Sequence, residues 1–550
     1  MRKESSASPV KSRRLFFSGV LFLGGANLVV KIIGLFFKIP MSYYLGSEGM
    51  GYFNSAYQIY TWLYMLSTAG LPVAVSILVS EARARGDRRS VRRIDRITSV
   101  SFFVIGLLGM LIMMLGAEPL AVLIGAPNAR FSIFAMAPAL FFICLSSAQR
   151  GYFQGFQEMA PSAVSQVLEA LGKLAVGVLL ATYAVAQGHP LPVVAAYAIV
   201  GLGVGEAFSF FYLLLSRYLY ERKGRLTYLA PATGEVASAH TGGNMLSRLW
   251  RIALPITASA SVMSVVGLLD LVLVQRRLRL VGYTAAQATA FYGNYTTLAV
   301  PMFNLPPALI YPIATAALPM LTATVAGGHS ATAERLTQSV LRIAAIIAMP
   351  AALGMAVFSR PILRLFFPAD MADSTAPYLS VLALAILFLS LLSVSNAVLQ
   401  AYGRASRPMI SMLVGGGVKL AVGYALMGNS SVGGYGVPIG TVLCYFVALL
   451  LNFWFLVRDT GITPALGRIF FRPLAASLLA VGAALGAYLL LGGDTASSLT
   501  VLPCMALAVL VYAAAAFLTR TVTAEDISLL PLPRALRHRL AARTVQEVGD

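Results

Sequence analysis

Lys31, Lys38, Glu169, Lys173, Glu206, Asp270 and Lys419 are charged residues set inside otherwise apolar runs of this chain. A charge at the centre of a bilayer costs about 2.5–3.5 kcal/mol on insertion scales, so residues of this kind face a bundle interior or a water-filled cavity. Lys31 and Lys38 are seven residues apart, nearly two helical turns, and share one face with Asn27, four residues before Lys31. That cationic strip, thinned at Gly34, suits an anionic head group and phosphate above all. The alternative is snorkelling of the ammonium to the interface, strongest for Lys38. Glu169 and Lys173 form an i, i+4 pair with the acid first, the favourable order. The pair is either a self-neutralised device for insertion or part of a coupling or gating site. Lys419 has Gly415 where an acid at i−4 would stand, and Asp270 is the one carboxylate inside the C-terminal apolar runs proper. A cross-helix Asp270–Lys419 pair is therefore expected, while Glu206 is left without an assigned role.

The elements that must position these charges are membrane helices. The 550 residues are 58% hydrophobic and only 11% charged, with a mean hydropathy of +0.79. Soluble chains carry about 25% charged residues, so a soluble enzyme, a disulfide scaffold and a disordered tail protein are excluded. Runs of about 20 apolar residues, the length a spanning helix needs, fall near 16–38, 51–80, 97–117, 131–149, 160–186, 190–216, 252–275, 290–321, 338–358, 376–399, 408–428, 435–457, 473–492 and 499–519. The expected fold is an all-α polytopic membrane protein of about 14 helices. Cys144, Cys444 and Cys504 lie in apolar runs without a CxxC. His189, His240, His329 and His538 are scattered, and there is no Walker loop or nucleophile elbow. Neither a metal site nor covalent catalysis is expected, which points to a transporter rather than an enzyme.

With the N-terminus inside, 31 of the 41 lysines and arginines fall in cytoplasmic segments, seven outside and three within spans. This asymmetry follows the positive-inside rule and accounts for most of the +20 net charge without nucleic acid. Both termini are then cytoplasmic. The pentapeptide Lys-Leu-Ala-Val-Gly occurs at 173–177 and 419–423, each copy preceded by a proline (Pro161, Pro408) and by a turn containing Gln, Tyr, Gly and Arg. An internal duplication gives two six-helix lobes related by a parallel pseudo-two-fold. The expected division is an N-terminal lobe at 1–219, a cytoplasmic lobe linker at 220–250, mobile and tolerant of change near 227–245, and a C-terminal lobe at 251–460. Two added helices at 461–520 and a cytoplasmic tail at 521–550 complete it. The aromatic cluster Tyr43, Tyr44, Tyr52, Phe53, Tyr57, Tyr60, Trp62 and Tyr64 reads as an interfacial belt, and the arginine-rich stretch 81–96 as a contact with anionic lipid.

The stretches KIIGLFFKIPMSYYLGSEGMGYFNSAYQIY, AGLPVAVSI from Ala69, RGYFQGFQEMAPSAVSQVLEALGKL, ALPIT at 253–257, Asp270 with Arg276-Arg277-Leu278, and YGNYTTLAVPMFNLPPALIYPIATAALP resemble the stage V sporulation protein B family. That family belongs to the MOP (MATE-like) superfamily beside the MurJ-type lipid II flippases and polysaccharide exporters. The resemblance implies transport of undecaprenyl-diphosphate-linked sugars from the inner to the outer leaflet by alternating access. MurJ-type proteins keep arginines in their first two helices. Lys31 matches the first of these, Lys38 lies about one residue from the second, and the helix-two arginine has no match in Tyr60-Thr-Trp-Leu-Tyr64. Some family members bind sodium through an acid of helix seven, matched here by Asp270, with Lys419 standing where that pattern has no lysine.

The reading is a flippase for the peptidoglycan precursor lipid II in the bacterial cytoplasmic membrane. Asn27, Lys31 and Lys38 bind substrate, and Asp270, Lys419, Glu169 and Lys173 serve coupling or gating. No cofactor is expected beyond a coupling cation, Na+ or H+, with Asp270 as its site, or else membrane potential. The expected partners are the lipid-linked sugar, membrane lipids and cell-wall synthases, with the monomer as the working unit. The alternatives are an exporter of another lipid-linked oligosaccharide, a MATE-like cation-coupled drug antiporter, and a non-transporting scaffold. The lysines and the lack of acid in helix one weigh against the antiporter.

Overall fold

The structure, a computed structural model, describes residues 9–224, 226, 242–493 and 498–519, with the backbone alone for 9–24, 27, 28, 242–244, 259, 468 and 498. Within the hydrocarbon region a backbone must satisfy its hydrogen bonds internally, and the described residues form helices and turns with no strand. They are α1 (Pro9–Thr68), α2 (Leu71–Ala84), α3 (Arg88–Leu115), α4 (Ala117–Leu123), α5 (Arg130–Gly155), α6 (Ala160–Ala186), α7 (Leu191–Arg222), α8 (Gly242–Leu280) and α9 (Ala285–Asn294). There follow α10 (Val300–Ala326), α11 (Ser330–Val357), α12 (Ser359–Arg364), α13 (Ala369–Ala401), α14 (Ser406–Met427), α15 (Gly436–Thr460), α16 (Arg472–Leu490) and α17 (Val501–Leu518).

Among the described residues 12 helical stretches are long and apolar enough to cross a membrane, or 13 when the bent pair Met245–Ala258 and Ala260–Leu280 counts as one. The stretch Val29–Ala84 holds two of the runs read from sequence. It is broken at Gly46, whose φ of 57° lies in the left-handed region that glycine adopts without steric cost. Every other run read from sequence falls on one helical stretch.

The chain forms two compact units, Met1–Arg279 with Tyr283–Gly293, and Leu280–Gly282 with Asn294–Asp550. The division therefore comes after α8, whereas the repeat placed that helix at the head of the C-terminal lobe. In the first unit α8 is tied to α2 by Arg248, which donates to both oxygens of Glu81 at 2.9 and 2.6 Å. The Gly70 amide also donates to the Thr257 hydroxyl at 3.1 Å. The lobe-linker reading at 227–241 and the tail at 521–550 lie outside the described residues.

Small residues set the helix spacing in both units, as van der Waals packing in lipid requires. In the first, a Cβ on Gly201 of α7 would come within 2.2 Å of the Gly177 amide nitrogen on α6, and one on Gly172 within 2.6 Å of Gly205 Cα. In the second, a Cβ on Gly440 of α15 would lie 3.6 Å from the Gly423 nitrogen and 3.1 Å from the Lys419 carbonyl on α14. Gly177 and Gly423 close the two copies of the repeated pentapeptide, so the repeat marks the same kind of helix contact twice.

The basic stretch 81–96 is engaged with protein as well as facing outward. Arg83 donates to the Phe156 carbonyl at 2.7 Å. Asp95 receives a two-pronged bond from Arg217 of α7 at 2.7 and 2.8 Å, and the Arg217 guanidinium lies 4.4 Å from the Tyr152 ring centroid. Asp87 caps α3, accepting from the Arg89 and Ser90 amides at 3.0 Å each. Burial opposes its charged form, but the hydrogen bonds from Ser90 and Arg89 and the charge of Arg85 outweigh that and hold the carboxyl below its usual value. A depressed carboxyl contributes stability above its unfolded value, roughly pH 4, and loses it as pH falls through the folded one. Asp87→Ala should cost about 1 kcal/mol of α3 stability at neutral pH. Thermal unfolding in detergent should show the difference at pH 7 and a shrinking one as pH falls below about 4, and equal melting temperatures at pH 7 would refute the cap.

Candidate functional site

The break at Gly46 folds the second half of α1 back beside the first and sets Phe37 against Phe53, with ring centroids 5.6 Å apart. Phe53, Tyr57, Tyr60 and Tyr64 follow at helical spacings of four, three and four, which places them on one face. Their rings succeed one another at 6.4, 5.8 and 6.0 Å. Tyr52, Phe53 and Tyr60 are buried, at 3%, 2% and 5% exposure, so three of the eight rings read as an interfacial belt are packed inside the protein, while Tyr43, Tyr44 and Tyr57 are exposed. Tyr57 is the ring of the series left open, at 38%.

Lys173 reaches across from α6 to these rings. Its Nζ lies 4.7 Å from the Phe37 centroid, 5.1 Å from Tyr57 and 5.7 Å from Phe53. An ammonium over an aromatic face is attracted by the ring quadrupole, by about 0.5–2 kcal/mol depending on desolvation. One turn along, Gly177 lets the Phe37 ring come close, since a Cβ there would meet it at 3.0 Å. Lys38, next in sequence to Phe37, is near enough for the two ammonium charges to act on each other.

Further along the same face lies a buried ionic cluster. Arg150 of α5, 8% exposed, donates to Glu169 of α6 at 2.9 Å, to the Ser165 hydroxyl at 3.0 Å and to the Ser209 hydroxyl of α7 at 2.9 Å. Glu206 of α7 is 1% exposed and accepts from the Tyr60 hydroxyl at 3.3 Å on one oxygen. Its other oxygen is buried without a hydrogen bond, and Glu169 is its charged neighbour. Three helices and the folded-back half of α1 thus converge on two carboxylates, a guanidinium and an ammonium.

These positions revise several expectations. Glu169 pairs with Arg150 rather than with Lys173 four residues on, because the guanidinium from α5 offers a fork and two serines complete its donors. Arg150 itself, counted from sequence with the loop cations, is a core residue. Its place directly after the apolar run ending Ser146-Ser147-Ala148-Gln149 was the available signal. Lys31 is exposed on α1 and Lys38 is half-buried, while the Asn27 side chain lies outside the described residues. Asp270 is half-buried on α8 of the first unit. Lys419 is half-buried on α14 of the second, where its charge acts on Tyr445. Tyr445 stacks on Phe303 at 6.0 Å, so the second repeat lysine also neighbours an aromatic pair.

Among the described residues, twelve or thirteen helical stretches are long and apolar enough to span a membrane, and they define a multi-pass membrane protein whose first unit holds ionisable groups between its helices. Residues 16–325, more than half of the chain, match the family described as polysaccharide biosynthesis protein, and the chain belongs to that family. Residues 278–425 match the MatE family. The chain is 26% identical over 443 residues to stage V sporulation protein B of Bacillus subtilis (strain 168), covering 80% of this chain and 83% of that protein. It is 26% identical over 471 residues to lipid II flippase MurJ of the same organism, covering 82% and 84%. Among solved structures it resembles lipid II flippase MurJ in an inward closed conformation, with a TM-score of 0.69 at 15% identity over 91% of this chain and 99% of that one. It also resembles an inward-facing multidrug resistance MATE family transporter of the MOP superfamily, with a TM-score of 0.63 at 15% identity over 78% and 94%. At such identities the structural likeness establishes the fold, which this chain shares with those two transporters.

Proposed function

We propose that this chain is a flippase that moves the undecaprenyl-diphosphate-linked peptidoglycan precursor, lipid II, across the bacterial cytoplasmic membrane by alternating access, with both termini cytoplasmic. The observation that carries the reading is the concentration of lysines, and no acid, in the first half of α1, where Lys31 and Lys38 offer point charges to a diphosphate. The similarity to lipid II flippase MurJ supports it. The protein works as a monomer, with cell-wall synthases as partners. The test is growth rescue of a strain depleted of its own lipid II flippase, together with accumulation of labelled lipid II in the outer leaflet. Expression in the membrane without rescue would refute it. The second reading is an exporter of another lipid-linked oligosaccharide, and the absence of an arginine in Tyr60-Thr-Trp-Leu-Tyr64 favours it.

Driving force comes from a cation, Na+ or H+, held at Asp270, or from membrane potential. Asp270 and Lys419 attract each other in one state of the cycle, so a cation at Asp270 competes with the ammonium. Asp270→Lys and Lys419→Asp should each abolish rescue, and the double reversal should recover more than either. No recovery in the double reversal, with all three proteins present in the membrane, would remove the pairing.

A further inference from the structure

We propose that Lys173, Lys38 and the exposed part of the Tyr57 ring form a head-group subsite that takes a diphosphate on the two ammonium groups and the attached sugar on the ring. This rests on the flippase reading and deepens it, because it moves Lys173 from the coupling machinery into substrate recognition.

Three observations converge on it. First, the Lys173 Nζ lies 4.7 Å from the ring centroid of Phe37, the residue before Lys38 on another helix, which brings the two lysines into one neighbourhood. Like charges repel, and the repulsion grows as water is excluded. An anion between them reverses the sign of that interaction. Second, Lys173 is not committed to an ion pair. The carboxylates in its reach are held elsewhere, Glu169 by Arg150 at 2.9 Å and Glu206 by the Tyr60 hydroxyl at 3.3 Å. Among the described residues no carboxylate oxygen lies within 4.0 Å of the Lys173 ammonium. Third, what holds Lys173 is three ring faces at 4.7, 5.1 and 5.7 Å. Ring faces orient an ammonium without neutralising it, and a charge-assisted bond to phosphate is stronger than a cation–π contact. The lysine is thus aimed and releasable.

The site can be reached. Lys38 and Lys173 are half-buried and Tyr57 is 38% exposed, while Phe37 and Phe53 form a closed floor at 1% and 2%. A sugar presents C–H groups of partial positive charge to an aromatic face, the same complementarity that sets edge-to-face ring pairs, and the phenol hydroxyl adds a hydrogen bond. Two cations with one aromatic ring define a ligand with adjacent phosphate and sugar. A bare carboxylate would not use the ring, and a neutral glycolipid would not use the lysines.

The experiment uses the full-length protein in nanodiscs. It is titrated with three probes: a short-chain prenyl-diphosphate disaccharide, the same prenyl diphosphate without sugar, and phosphatidylglycerol. Binding is read by native mass spectrometry. Lys173→Met should weaken the disaccharide probe at least tenfold and Lys173→Arg no more than about threefold. Tyr57→Leu should weaken the disaccharide probe at least fivefold while leaving the bare diphosphate within twofold. Gel filtration and thermal unfolding of each variant show whether the fold is kept. The exposed Tyr57→Leu keeps the proposal testable should Lys173→Met fail to fold. Unchanged disaccharide binding in folded Lys173→Met, or no binding to wild type, overturns the subsite. So does an equal loss of phosphatidylglycerol, which would make the pair a general anionic-lipid contact. Disaccharide binding that depends on Lys173 in a protein that rescues no flippase-depleted strain would keep the subsite and refute the transport reading. Full rescue by Lys173→Met would do the reverse.

Discussion

Arg150→Ala is expected to destabilise the first unit by about 3–5 kcal/mol, the loss found when one partner of a buried ion pair is removed and the other stays charged. The guanidinium is 8% exposed and bonds to Glu169, Ser165 and Ser209 from two neighbouring helices. Its removal leaves Glu169 without its ion-pair partner beside a second carboxylate, Glu206. Arg150→Lys keeps the charge and loses the fork, so an intermediate loss is expected. The double change Arg150→Met with Glu169→Met should recover much of the stability, since an apolar pair of similar volume often equals a buried salt bridge. Unfolding curves of the purified proteins in detergent measure all three. A single-variant curve that overlays the wild type would mean the cluster is solvated and contributes little.

Lys31→Ala is expected to abolish rescue of a lipid II flippase-depleted strain while membrane expression stays intact, and Lys31→Arg to keep rescue. Lys31 is exposed on α1, and an ammonium at that depth is stable only against water or an anion, because exposure to lipid costs about 2.5–3.5 kcal/mol. A substrate diphosphate supplies such an anion. Full rescue by Lys31→Ala would remove this residue from substrate binding. Loss of rescue in Lys31→Arg as well would mean that the position depends on side-chain size and not on charge.

The sequence by itself determined the class of protein and the place of nearly every membrane helix. Fourteen apolar runs were legible, and each lies on a helical stretch of the structure, because spanning a bilayer demands a length and an apolar composition that no other element shares. The repeated pentapeptide was legible too. The structure gives it a physical meaning in the close approaches of Gly177 to Gly201 and of Gly423 to Gly440.

Which charges meet was decided by the tertiary structure. The i, i+4 spacing of Glu169 and Lys173 permits a pair without compelling it, and an arginine 19 residues earlier took the acid instead. Spacing along one helix cannot register a stronger donor arriving from another. Lys173 turned to the rings of α1 because the glycine contacts draw α6, α7 and α1 close together. The aromatic residues after Gly46 were legible as a cluster, yet the burial of Tyr52, Phe53 and Tyr60 depended on the chain reversing there. Apolarity, which the sequence displays directly, places helices in the membrane. The side-chain pairings between them follow from helix-to-helix distances and rotation, and those are fixed only when the helices pack.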